Sequence, residues 1–258
     1  MTDVVNAATA PSPGARRPPG RLWSLNVVGA YDLTPRMRRV TLTGADIDEM
    51  EWKPGQDVVL ALPQAGDATA RRHYTIRRLD RAAKRMEIDF VLHGDSPAGN
   101  WARDVRPGDA VDAQGPRGRV VLHPEADWHL FLGDETCIPG IFGMIETLPA
   151  GARAWAFIEI PDTAEKQVVL TKGALVLEWI ERGGAPAGPS SLMLDRLQAF
   201  ELPPGRAHCY LIGETSNVRS WRHHLIDQGI AKDQIAAEGY WRPGRIGGHD
   251  HVDERPAA

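Results

Sequence analysis

Arg71-Arg72-His73-Tyr74-Thr75-Ile76-Arg77 is the stretch around which the rest of the chain can be read. On a strand, side chains alternate between faces, so Arg72, Tyr74 and Ile76 point one way and His73, Thr75 and Arg77 the other. An Arg offers a two-pronged donor fork suited to phosphate. Two positions on, a Tyr offers a flat face for stacking on an aromatic ring. Thr75 adds a short hydroxyl. The set suits a nucleotide cofactor with a ring at one end and a pyrophosphate near it. It suits equally an ordinary charged strand with one surface Tyr, so the surrounding sequence has to decide.

Working outward, residues 21–125 read as short strands. Leu22–Val28, Met37–Leu42, Val58–Leu62, Met86–Leu92, Ala110–Ala113 and Val120–Leu122 are β-rich. They are separated by the turns Lys53-Pro54-Gly55-Gln56, Arg106-Pro107-Gly108-Asp109 and Gly115-Pro116-Arg117-Gly118. Several short strands joined by Pro-Gly turns predict a small closed barrel. Within it, Phe90-Val91-Leu92-His93-Gly94-Asp95-Ser96-Pro97-Ala98-Gly99-Asn100-Trp101 ends a strand at His93 and opens a short helix near Gly99. A helix start presents N–H groups and a positive dipole end, which suits pyrophosphate. Trp101 also reads as a core aromatic anchoring that helix.

From about residue 126 the texture changes. His129–Gly133, Ala154–Ile160 and Ala207–Ile212 are buried-type strands, with Gln167–Leu170 and Leu175–Ile180 as further elements. Helical segments follow over Cys137–Leu148, Ser191–Phe200 and Asn217–Gly229. Alternation of strand and helix predicts a parallel sheet, where ligands bind at the carboxyl ends of strands. Gly133-Asp134-Glu135-Thr136 and Gly213-Glu214-Thr215 fall at such ends. Neither is a Gly-x-Gly-x-x-Gly loop, which disfavours a standard dinucleotide-binding dehydrogenase. Residues 1–20 read as a disordered leader and 247–258 as a flexible tail, so Gly247-Gly248-His249-Asp250-His251 is read as solvated filler rather than a metal site.

These motifs resemble a known family. Arg72-x-Tyr74-Thr75 resembles the Arg-x-Tyr-Ser/Thr flavin signature of the ferredoxin-reductase-like flavoproteins. Arg72–Arg77 as a whole is similar to the siderophore-interacting protein family, FAD-containing ferric-siderophore reductases. His93-Gly94-Asp95-Ser96-Pro97-Ala98-Gly99-Asn100-Trp101 resembles its His-Gly-Asp-x-Gly-Pro-Ala-x-x-Trp element, one residue shorter and without the Gly before Pro97. Gly133-Asp134-Glu135-Thr136-Cys137-Ile138-Pro139, the Gly213-Glu214 turn and Gly239-Tyr240-Trp241-Arg242-Pro243-Gly244 resemble further family elements in the same order.

The resemblance implies a β plus α/β chain. A six-stranded antiparallel FAD-binding barrel would span residues 21–125 and a Rossmann-like NAD(P)H-binding domain residues 126–246. It implies that Arg72 holds the FAD phosphates, Tyr74 stacks on the isoalloxazine and Thr75 reaches toward its N5. His73, His93, Gly94, Ala98, Gly99, Trp101, Thr136 and Trp241 join the cofactor set. Gly133, Asp134, Glu135, Gly213, Glu214 and Thr215 take the nicotinamide donor, NADH or NADPH. An anionic ferric siderophore needs cations near the flavin edge. Lys53, Arg117 and Arg245, at turns bordering the barrel and near the chain's end, are the candidates.

The totals bound what else the chain does. A net charge of −4 over 258 residues argues against general nucleic-acid binding. No run of about 18 apolar residues is present to span a membrane, and no secretory signal is visible. Two cysteines, Cys137 and Cys209, cannot supply the four thiolates of an iron–sulfur cluster and fit a reducing cytoplasm. Cys137 reads as a small buried hydrophobe and Arg222-His223-His224 as a solvated helix face. No metal site is expected, and the chain reads as a monomer. Two other readings stay open: a general flavin or diaphorase-type reductase, and a non-catalytic siderophore- or flavin-binding protein.

Overall fold

A computed structural model describes residues 20–63, 69–245 and 250–252. The strands are β1 (Leu22–Thr34), β2 (Met37–Thr43), β3 (Asp57–Pro63), β4 (Thr69–Thr75), β5 (Arg78–Asp80) and β6 (Arg85–Val91), then helix α1 (Pro97–Asp104) and β7 (Ala110–Arg117). They form an antiparallel sheet in the order β4-β3-β7-β1-β2-β6-β5. β4 and β5 are one run of chain bent at Ile76 and Arg77. The Ile76 N–H donates to Gln56 O on the β3 side and the Arg77 N–H to Glu87 O of β6. Through that bend the sheet closes, so its seven short strands make the six staves of a barrel.

The barrel strands alternate. In β1, Trp23, Leu25 and Val27 are buried and their neighbours exposed, the pattern of a strand with one face on a core. Phe90, Ile88, Val40, Leu42 and Leu60 fill the interior, and Trp101 of α1 packs on Phe90.

The second half comprises β8 (Trp128–Asp134), α2 (Ile138–Glu146), β9 (Arg153–Ile160), β10 (Ala174–Glu181), α3 (Leu192–Gln198), β11 (Ala207–Glu214), α4 (Thr215–Asp227), β12 (Ile235–Trp241) and β13 (Asp250–His251). The strand order is β10-β9-β8-β11-β12-β13, parallel except for β13. β8 and β11 are buried at every position, because helices cover both faces of a parallel sheet. The expected barrel followed by a parallel α/β sheet is therefore the fold.

The halves pack directly. Met37 and Val120 join the apolar cluster around α2. Arg77 makes a two-pronged ion pair with Glu146 at 2.5 and 2.8 Å, and Arg36 pairs with Asp162 at 2.9 Å.

Several local expectations change. Val120–Leu122 forms no strand: it lies across the Lys53–Gln56 turn, with the Leu122 N–H donating to Pro54 O. Gln167–Leu170 is irregular, and Val168 and Leu170 are exposed because no neighbouring strand pairs with them. The tail reading fails at Asp250–His251, which pairs with Glu238 and Gly239 of β12, and Val252 is buried beside it. The rest of residues 247–258, and the leader up to residue 19, lie outside the described residues. Arg222 is buried on the inner side of α4, so only His223 and His224 keep partial exposure.

Candidate active-site cleft

A cleft of about 470 Å³ opens between the barrel and the carboxyl ends of the parallel strands. The barrel wall is built from β3, β4 and β6. Asp57 lies directly opposite Thr75 in the β3–β4 ladder, and His73 lies two residues before Thr75 on the same face. His73 Nδ1 meets Asp57 Oδ2 at 2.5 Å, and since a carboxylate only accepts, Nδ1 is the protonated nitrogen. Tyr74 sits at the rim of the barrel core, its ring centroid 4.3 Å from that of Phe90, and still borders the cleft. Burial pushes the Tyr74 hydroxyl's pKa up. Asp89 lines the floor with its charge answered by Arg39, at 2.7 and 2.9 Å, and by Arg77 at 3.8 Å. Val91 and His93 complete this wall.

The facing wall comes from the ends of β8 and β12. Asp134, at the end of β8, is a collecting point. It accepts from the Thr136 N–H at 2.9 Å and hydroxyl at 2.5 Å, the Glu214 N–H at 3.0 Å and the Trp241 indole N–H at 2.9 Å. Burial, then the Glu135 charge, push its pKa up to about 6 against those donors. Gly213 passes this carboxylate at φ +145°, and a Cβ there would stand 2.8 Å from Asp134 Oδ2. Glu135 is clamped by Arg182 through two bonds of 2.6 and 2.7 Å, and Glu159 lies 3.4 Å from the same guanidinium. Burial works against the Arg182 charge, but Glu135 outweighs it and holds the Arg182 pKa above its ordinary value. Tyr240 is half-buried, its hydroxyl hydrogen-bonded to Thr75 across the gap, and removal from solvent drives its pKa well up.

The structure thus gathers His73, Tyr74, Thr75, His93, Glu135, Thr136, Trp241 and Arg245 on one cleft. Others lie behind or beside it. Trp101 is in the barrel core. Ala98 and Gly99 are buried in the first turn of α1, where the Ser96 hydroxyl accepts from the Gly99 N–H. Gly94 takes φ +50°, and its carbonyl accepts from Arg103. Gly133, Asp134, Gly213, Glu214 and Thr215 are buried behind the wall; Glu214 caps α4 by accepting from the Asn217 N–H. Arg72 stands outside the lining, and its guanidinium bonds only Arg71 O among the described residues. Lys53 and Arg117 are exposed outside the lining, Arg117 opposite Asp57 at the end of β7. Asp57, Asp89, Val91, Pro139, Ala187, Tyr240 and Arg242 also line the cleft; none of them carries a site role from sequence alone, although Pro139, Tyr240 and Arg242 lie within the family-like motifs. Asp57 had no local signal: only the register of the β3–β4 ladder sets it opposite Thr75 on this wall. Ala187 arrives from a long loop and had none.

The donor set fits a flavin dinucleotide. A half-buried aromatic ring floors the cleft, Thr75, Thr136 and Tyr240 bring hydroxyls to it, and a guanidinium with no ion pair among the described residues and a helix start stand nearby. Cys137 does not take part: it is fully buried, and burial with the Asp134 charge raises its thiol pKa well above the ordinary value. Among the described residues no cluster of His, Cys, Asp or Glu could hold a metal ion, and no helix is long and apolar enough to cross a membrane.

Comparison with known proteins agrees with this geometry. Residues 63–120 match the siderophore-interacting FAD-binding domain and residues 126–244 the siderophore-interacting protein family. The chain is 30% identical over 244 residues to ferric vibriobactin reductase ViuB of Vibrio cholerae, covering 86% of this chain and 89% of that protein. It is 24% identical over 165 residues to the NADPH-dependent ferric-chelate reductase of Escherichia coli, covering 63% of each. A siderophore utilization protein from T. fusca superposes with a TM-score of 0.83 at 34% identity, covering 90% of this chain and 97% of the other. The chain belongs to the siderophore-interacting protein family.

Proposed function

We propose that this protein is a flavin-dependent reductase that takes electrons from NAD(P)H and passes them to ferric siderophores in the cytoplasm. The observation that carries this is the cleft itself, with Tyr74 and Thr75 on the barrel wall facing Glu135, Thr136 and Trp241 at the carboxyl ends of parallel strands. The likeness to ferric vibriobactin reductase supports the substrate, and the match of residues 63–120 supports FAD.

FAD supplies the exchange between the two-electron nicotinamide and the one-electron ferric ion. The residues hold and orient it. Tyr74, Thr75 and Trp241, the last fixed by Asp134, would hold the ring: Tyr74 would offer a stacking face and Thr75 a hydroxyl. Arg72, with His93, Gly94 and the Ala98–Gly99 start of α1, would take the phosphates. Trp101 holds α1 against the barrel and contributes from behind. Glu135, held rigid by Arg182, meets the nicotinamide side, on the scaffold of Gly133, Asp134, Gly213, Glu214 and Thr215. Arg245, joined by Arg242, meets the anionic chelate at the mouth, while Lys53 and Arg117 act from outside it by charge alone. Ferrous ion binds hard oxygen ligands more weakly than ferric ion does, so reduction releases it.

The test of these roles is cofactor content. Tyr74→Ala and Arg72→Ala are expected to purify with much less FAD than the parent, measured as flavin absorbance per chain. Full occupancy in both variants contradicts the assignment.

A further inference from the structure

We infer that His73, held by Asp57, is the proton carrier of ferric chelate reduction, delivering the proton that nicotinamide oxidation leaves behind to an oxygen of the chelate as iron departs. The inference rests on the reductase reading above and adds to it an acid–base residue.

The redox balance requires a carrier or the solvent. One NAD(P)H gives two electrons to two ferric ions and yields NAD(P)+, two ferrous ions and one proton. Catecholate and hydroxamate oxygens that leave iron are basic, so a proton placed on the departing oxygen prevents its return to the metal. A side chain on the cleft wall can place that proton on the departing oxygen faster than solvent does.

Among the cleft residues, His73 has the geometry for it. Its Nδ1 donates to Asp57 Oδ2 at 2.5 Å, with both side chains mostly buried at 20% and 7% exposure. That bond fixes the ring's tautomer and orientation, so the proton exchanged with the cleft is the one on Nε2.

The other charged groups facing His73 are already answered. Asp89, from β6, is matched by Arg39 and Arg77. Glu135, from the β8 end, is matched by Arg182. Arg242 and Arg245, after β12, pair with Asp250. The Tyr240 hydroxyl is buried and bonded to Thr75, and its raised pKa keeps it protonated. His93 also lines the cleft, but it is exposed and has no carboxylate partner among the described residues. Of the carboxylates lining the cleft, Asp57 is the one bonded to a histidine among the described residues; we assign it as a positioning residue.

The test compares two iron probes under anaerobic conditions: a ferric tris-catecholate, whose ligand oxygens take up protons on release, and ferric EDTA, whose carboxylates do not. Protein reduced beforehand by NADPH is mixed with each. For His73→Gln the tris-catecholate rate is expected to fall roughly 10- to 100-fold at pH 8 and recover toward pH 6, where buffer acid substitutes. The ferric EDTA rate, taken per bound FAD, is the internal reference: any loss there is smaller than the tris-catecholate loss and does not recover toward pH 6. Asp57→Asn follows the same pattern more weakly. Independently of turnover, the parent shows a low-field ring-proton resonance from the His73 Nδ1–H bond, and Asp57→Asn loses it. Equal losses on both probes, or a pH-independent loss, overturn the proton role while leaving the reductase reading intact. Absence of the resonance overturns the geometry. A parent protein that reduces neither probe overturns the reductase reading and the proton role with it.

Discussion

Gly133-Asp134-Glu135-Thr136 and Gly213-Glu214-Thr215 look alike in sequence: glycine, acid and threonine at the end of a buried strand. In the structure they have different work. The first turn ends the strand nearer the barrel, and Glu135 and Thr136 emerge into the cleft while Asp134 turns inward to gather donors from β8, β11 and β12. The second ends β11, between the β8 and β12 ends that form the cleft wall. Glu214 caps α4, and Thr215 donates to Trp241 O and lies 3.0 Å from Asp250 of β13. One acid ties three strand ends together and the other starts a helix. Equivalent motifs at equivalent strand ends become site or scaffold according to which neighbour covers them.

The sharpest way to break this comparison is to remove both acids. Asp134→Ala leaves the Thr136, Glu214 and Trp241 N–H groups without their acceptor, and at about 1–3 kcal/mol per orphaned buried group the loss should reach about 4 kcal/mol. Glu214→Ala removes a helix cap and should cost about 1 kcal/mol. Urea unfolding of both variants decides; equal costs would refute the distinction.

Next in size is Arg182→Met. It strands Glu135 and Glu159 in a mostly buried setting, for an expected loss of about 3 kcal/mol. It also frees Glu135 to move, so the KM for NAD(P)H should rise severalfold while FAD content stays at the parental level. An unchanged KM would remove Glu135 from the nicotinamide side.

A smaller effect is in pH. The Asp134 pKa is raised in the folded protein, to about 6, by burial and then by Glu135. A raised carboxyl stabilises the fold fully below its unfolded value and loses that contribution as pH rises through the folded value. Stability of the parent should therefore carry a decline between about pH 4 and 6 that Asp134→Asn lacks. A variant with the same slope would show that the four donors hold the charge without penalty.

Smallest is the mouth of the cleft. Arg242→Glu and Arg245→Glu should raise the KM for an anionic ferric chelate at low salt, with the difference shrinking as salt is added. Lys53→Glu and Arg117→Glu, outside the lining, should do so less. Equal effects at all four positions would place the chelate on the barrel rim rather than in the cleft.

Much of this was legible in sequence because local rules govern it. Alternation placed His73 and Thr75 on one face, Pro-Gly turns marked the barrel, and unbroken apolar runs marked β8 and β11. What escaped depends on distant pairing. Nothing local reveals that Asp57 meets His73, that Arg182 clamps Glu135, or that Asp250 returns as a strand beside β12. Trp101 carried two readings, and packing on Phe90 puts its ring in the barrel core. Lys53 and Arg117 sit at turns, where charge is common, and only the closed barrel shows that both fall outside the cleft lining.

The central claim is electron transfer from a nicotinamide through bound FAD to a ferric siderophore. Its most direct test is anaerobic: titrate the yellow protein with NADPH or NADH until the flavin absorbance bleaches, then add a ferric siderophore and follow its return together with ferrous ion captured by a chromogenic chelator. The account predicts bleaching, recovery well above the rate with oxygen, and two ferrous ions per nicotinamide oxidised. Flavin that stays oxidised with both donors, or that recovers no faster with the siderophore than with oxygen, would contradict it.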